Sequence, residues 1–168
     1  MRTTVVPPRQ PGPAKSQRGI MLLEVLISIA IFSIGVLGLI GLQAAAIRNA
    51  DDARQRAVAA FYANQLISRM WTDDRANLAS YAHQPRGTMC DPVSADPFAG
   101  AASANANVTN WLAALRTELN GLTSAAVASS LQQITVDAAT NIVTVTMCWK
   151  NPEEAVYHFY TTAAQIRG

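Results

Sequence analysis

The sequence predicts an α+β fold: one long N-terminal helix, membrane-spanning in its first half, packed on a small head with an antiparallel β-sheet. Three observations predict it. Ile20 to Leu42 is an apolar run broken near its start by a single carboxylate, Glu24, and a spanning helix needs about 20 apolar residues. No proline follows Pro13 until Pro85, so nothing stops that helix before about Thr72. Near the C-terminus, three segments rich in Val, Ile, Thr and aromatics are separated by turn residues, the pattern of strands.

The elements follow in order. Met1–Arg18 contains Pro7, Pro8, Pro11, Gly12 and Pro13 with basic residues and no acid, the composition of a leader without packed structure. Residues 20–42 form the membrane half of the helix. Residues 43–74 read as its amphipathic half, with Ala53, Ala57, Ala60, Phe61, Ile67 and Trp71 as an apolar face. Residues 75–168 form the head. The stretch that leads from the helix into it, Asp73–Val108, is loop-rich, with Pro85, Gly87, Pro92, Pro97 and Gly100. Asn110–Leu119 reads as a short helix with Trp111, Leu112, Leu115 and Leu119 on one side and a stop at Gly121. Leu131–Val136, Ile142–Trp149 and Ala155–Thr162 are the expected strands, joined by turns at Asp137–Asn141 and Lys150–Glu154. Removing the leader and the membrane segment leaves about one small domain.

Glu24 is the anomaly. A charge at the centre of a membrane helix costs about 2.5–3.5 kcal/mol on insertion scales and usually marks function. Arg48 lies about 36 Å away along the helix at about 1.5 Å per residue. Arg18, upstream, falls on the wrong face. A cut after Gly19 changes this. The new α-amine of Ile20 stands one helical turn before Glu24, able to pair with it or with Glu24 of a neighbouring helix.

A basic leader, a glycine junction and a glutamate shortly inside an apolar helix resemble the type IV prepilins. Leu22-Leu23-Glu24-Val25-Leu26, Ser33-Ile34-Gly35-Val36-Leu37-Gly38-Leu39, Gly41-Leu42-Gln43 and Ala63-Asn64-Gln65-Leu66-Ile67-Ser68-Arg69-Met70 are similar to the PilV family of minor pilins. The similarity spans Arg18 to about Asp74. Ile20 and Met21 depart from it, since members often carry phenylalanine and then threonine there. The resemblance implies a type IV pilin-like fold and a structural subunit rather than an enzyme, with no cofactor. It implies cleavage by prepilin peptidase between Gly19 and Ile20, N-methylation of Ile20, and a register-setting role for Glu24. Its implied partners are other minor and major pilins and the inner-membrane pilus assembly platform. The implied location is the inner membrane, N-terminus cytoplasmic and head periplasmic, then the pilus.

Charge agrees with that orientation. The leader holds Arg2, Arg9, Lys15 and Arg18, so the remainder has 13 − 4 = 9 basic against 11 acidic side chains. Basic residues favour the cytoplasmic side, and no basic patch indicates nucleic acid. Cys90 and Cys148 then fall in an oxidising compartment, which favours a disulfide over two buried thiols. Gly35, Gly38 and Gly41 recur at every third position. Such spacing lets helices approach closely and weakens the helix by about 0.8–1 kcal/mol per glycine.

Competing readings are specific. A secretory signal peptide, with Ala44-Ala45-Ala46 as its cleavage site, has a shorter apolar core of about 7–15 residues, and a plain anchor leaves Glu24 unexplained. A secretion pseudopilin of type II systems shares the N-terminal pattern. A membrane-anchored periplasmic enzyme or binding module needs a ligand site. Asp91-Pro92 and Asp96-Pro97 read as turns rather than a calcium loop, and Asp73-Asp74 and Glu153-Glu154 as solvated pairs. His83 and His158 have no nucleophile at catalytic spacing, and no metal-ligand cluster is visible. Trp111, Trp149, Tyr157, Phe159 and Tyr160 read as core rather than a surface platform.

Overall fold

The computed structural model describes residues 18–167, and side chains from Ile20 onward. The leader proposed for residues 1–19 therefore lies outside the described residues, except for the backbone of Arg18 and Gly19, which opens the first helix. The chain forms α1 (Arg18–Thr72), a 3-10 helix (Arg75–Tyr81), α2 (Ala106–Glu118), α3 (Ala125–Ser130), β1 (Gln132–Asp137), β2 (Ile142–Trp149) and β3 (His158–Gln165). This is an α+β layout with a long apolar N-terminal helix and a three-stranded antiparallel sheet in the order β1-β2-β3.

Two compact units divide the chain at Ile47–Arg48. The first contains the apolar part of α1. By length and composition α1 is able to cross a membrane: its most apolar window has a mean hydropathy of 2.7, with none of it buried inside the protein.

The second unit holds the core. Ala59, Ala63, Leu66, Ile67 and Met70 of α1 are buried with Trp111 and Leu115 of α2 and with Val143, Val145, Met147 and Trp149 of β2. The β2 residues alternate, as expected for a strand with one face on a core. The indole of Trp111 donates to the Tyr62 carbonyl at 3.0 Å and ties α2 to α1.

The buried face of α1 differs from the sequence expectation. Ala53, Ala57, Phe61 and Trp71 are exposed, whereas Gln55, Ala59, Ala63, Leu66 and Met70 are buried. Alanine is nearly silent in an apolarity pattern, and a buried Gln55 inverts it. Gln55 is half satisfied: its Oε1 accepts from the Asn120 backbone N–H at 3.2 Å, and its Nε2 has no hydrogen-bond partner among the described residues.

Other boundaries moved for local reasons. The Asn105 side chain accepts from Asn107 N and starts α2 ahead of the expected Asn110. Ser124 caps α3, which the sequence did not suggest. Asp74 caps the 3-10 helix inside the segment read as loop. β3 runs three residues later than the expected Ala155–Thr162, because Trp149 pairs with His158 and the turn extends to Tyr157.

Candidate functional site

Along α1, Ile20, Leu23, Glu24, Ile27 and Ser28 line one shallow surface, as one-turn spacing requires. Among the described residues no basic side chain pairs with Glu24. The Ser33 hydroxyl donates to the Ile29 carbonyl at 2.7 Å, so this polar group is satisfied within the helix. A Cβ added at Gly35, Gly38 or Gly41 meets nothing within 4 Å; within this chain all three face open space.

In the second unit, Cys90 and Cys148 are joined by a disulfide, with Cα atoms 5.8 Å apart across a sequence separation of 58. The bond pins the loop after the 3-10 helix to β2. The same loop is stitched to β1 by Gln133, whose Nε2 lies 2.9–3.0 Å from the carbonyls of Gln84, Arg86 and Gly87. The loop acids serve it locally. Asp91 accepts from Val93 N at 3.0 Å, and Asp96 accepts from the Thr88 hydroxyl at 2.9 Å. Among the described residues no cluster of His, Cys, Asp and Glu is arranged to hold a metal ion.

Both histidines are engaged. His83 is fully buried. Its Nδ1 accepts from Ser103 N at 3.0 Å, so Nε2 carries the proton and donates to the Ser129 carbonyl at 2.8 Å. Burial pushes its pKa below the ordinary value, against the opposing effect of the Ser129 bond. The Ser129 hydroxyl lies 3.3 Å from Nε2, but with both ring nitrogens occupied by backbone groups the imidazole has no free lone pair to act as a base.

His158 opens β3 and has several partners. Its Nδ1 lies 3.3 Å from Asp52 Oδ1, an ion-pair distance without hydrogen-bond alignment. Its Nε2 bonds Glu154, which holds that carboxyl below its ordinary pKa. The ring stacks on Trp149 with centroids 5.9 Å apart. Arg56 pairs with Asp52 at 3.1 Å. No motif signals this cluster, because Asp52, Trp149 and His158 meet only through the tertiary fold.

Asp73, a solvated acid by its sequence context, is tied to its neighbours. It accepts from the Tyr81 hydroxyl at 2.6 Å and from Asn77 at 3.0 Å, and these bonds lower its pKa. Of the aromatics assigned to the core, Trp111 and Trp149 are buried, but Phe159 is 59% exposed. Phe159 borders a groove of about 410 Å³ on the outer sheet face, with Met89, Phe98, Val156 and Tyr157.

Comparison with family models, curated proteins and solved structures finds no match to this chain.

Proposed function

We propose that this chain is a minor pilin of the PilV type, a prepilin-peptidase substrate cut between Gly19 and Ile20 and N-methylated on Ile20. The observation that carries the reading is the lone carboxylate Glu24 one helical turn beyond Ile20, on an apolar helix whose most apolar window is unburied. The α+β layout and the disulfide-closed second unit support it. The protein is a structural subunit and needs no cofactor.

The mechanism follows from solvation. The mature chain waits in the inner membrane with its head in the periplasm. Extraction by the assembly platform moves the apolar helix from lipid into a bundle of other pilin helices, an exchange between two apolar surroundings. The methylated amine stays cationic. Pairing it with Glu24 of a neighbour removes two isolated charges from a low-dielectric site and fixes axial register. Gly35, Gly38 and Gly41, open in this chain, let neighbouring helices pack closely.

The test is deletion of the chromosomal copy, with surface pili and secreted exoproteins quantified in the same strain. Lost or reduced pili with normal secretion are expected. Intact pili with an export defect would move the protein to a type II secretion pseudopilus, and an uncut leader by mass spectrometry would favour a plain membrane-anchored module.

A further inference from the structure

We propose that β3 is a docking edge for an extended, largely apolar segment of another polypeptide with a basic C-terminal end, which adds a fourth strand antiparallel to it. Among the described residues β3 is an edge strand, paired only with β2. Its bonding parity is fixed by Ile166 N, which donates to the Asn141 carbonyl. In the same register, Ala164, Thr162, Tyr160 and His158 bond toward β2. The N–H and C=O groups of Phe159, Thr161, Ala163 and Gln165 therefore point away from the sheet.

Sheet edges are normally guarded by charge, proline or a bulge. From Phe159 to Gln165 there is neither charge nor proline, and all eight residues of β3 pair in unbroken register. The opposite edge is covered in part, since His83 and Ile134 exchange backbone bonds. The groove bounded by Phe159 and Val156 reaches β3 on the outer face, in position for an apolar side chain of the added strand. Strand addition works in this way: main-chain bonds supply affinity and pockets for alternate side chains supply specificity.

Charge at the two ends defines the partner. Glu153 precedes β3 and Arg167 follows it, while Glu154 is already held by His158. An antiparallel partner thus carries its basic residue at its C-terminal end. A second copy offers a similar charge match, but two copies paired edge to edge in one sheet are related by a two-fold axis normal to it, which reverses α1 residues 48–72 in one copy. Chains anchored through α1 in one membrane run in one direction. That exclusion rests on the membrane reading; the docking edge itself does not.

The probe is a synthetic fluorescent heptapeptide of alternating Thr and Val with a central Phe and a C-terminal Lys, titrated against the detergent-solubilised full chain. Saturable binding is expected. N-methylation of the peptide's alternate, pairing amides should weaken it by at least about tenfold, or about 1.4 kcal/mol, and Lys→Glu should weaken it less. Ala163→Pro removes an outward donor while leaving the bonds to β2, so it should cause a similar loss with an unchanged melting temperature. Thr161→Pro serves the same purpose if that variant fails to fold. Absent binding, equal binding of the N-methylated peptide, or insensitivity to both prolines would overturn the proposal. A concentration-dependent dimer abolished by Ala163→Pro would also overturn it, by giving the edge to a second copy.

Discussion

Burial decides how His83 behaves, and that has a sign. The neutral ring is fully matched, accepting at Nδ1 and donating at Nε2. A second proton on Nδ1 breaks the Ser103 bond and places a charge in a buried site. The folded-state pKa is thus depressed, so below about pH 6.5 the unfolded chain takes up a proton that the folded chain refuses. Stability is present above that value and falls as pH drops toward the folded pKa. Urea unfolding of the full chain in detergent should show a lower midpoint at about pH 5 than at about pH 7.5. His83→Gln should lower stability and flatten that slope; a slope as steep as in the parent would refute the role. Glu154 and Asp73, whose pKa values are lowered by hydrogen bonds, act below about pH 4.5, outside this window. Gly121 is a second residue with a definite expectation. Its φ is +81, and a Cβ would sit 2.5 Å from the Lys150 carbonyl oxygen. Gly121→Ala should therefore destabilise by about 1–2 kcal/mol or more, read as a lowered melting temperature, and an unchanged one would contradict the geometry. Sequence gave notice of Gly121 as a stop. It gave none of the partners of His83, because Ser103 and Ser129 are common residues with no spacing that marks them.

At the scale of elements, strong periodicity was legible and weak periodicity was not. β2 lies where alternating Val and Thr put it, and the helix end at Thr72 follows from the lack of earlier breakers. The inner face of α1 escaped because Gln55 is buried by one tertiary bond from Asn120 and the alanines carry no directional information. β3 slid because pairing of Trp149 with His158 outweighs the low strand propensity of Ala163 and Ala164. The loop that the sequence shows only as prolines and glycines is organised by one covalent tie. Closing 58 residues with Cys90–Cys148 restricts the unfolded chain, worth about 4 kcal/mol in the entropy model, with about 2–5 kcal/mol usual for native bonds. Replacing both cysteines by alanine should lower unfolding free energy within that range and loosen the loop first, measured by hydrogen exchange at residues 84–99. Unaltered exchange there would show that Gln133 and the short bridges hold the loop without the disulfide.

For the whole molecule, the two units answer to different solvents. Residues 48–167 bury a core against water. Residues 20–47 bury none of their large apolar side chains, which are 38–72% exposed, and therefore need lipid or other helices around them. The N-terminal pattern was legible because Glu24 is the lone acid in that surface. The group that would neutralise it was not, since in the proposed function it is the Ile20 amine of this chain or of a neighbour. This separation makes the register model testable with two substitutions. Gly19→Ala alters only the junction and should leave the leader attached, seen as an unshifted intact mass; full-rate cleavage would refute the site. Glu24→Ala leaves Gly19 and the apolar run unchanged, so cleavage should proceed, while the variant should be depleted from sheared pili relative to its membrane pool. Removing the carboxylate also removes the cost of placing a charge in the apolar run, so the membrane pool should not fall. A loss of membrane protein would therefore mean that Glu24 serves folding or insertion. Normal incorporation would mean that register is set by side-chain packing along α1, with the glycines at 35, 38 and 41 the next positions to substitute.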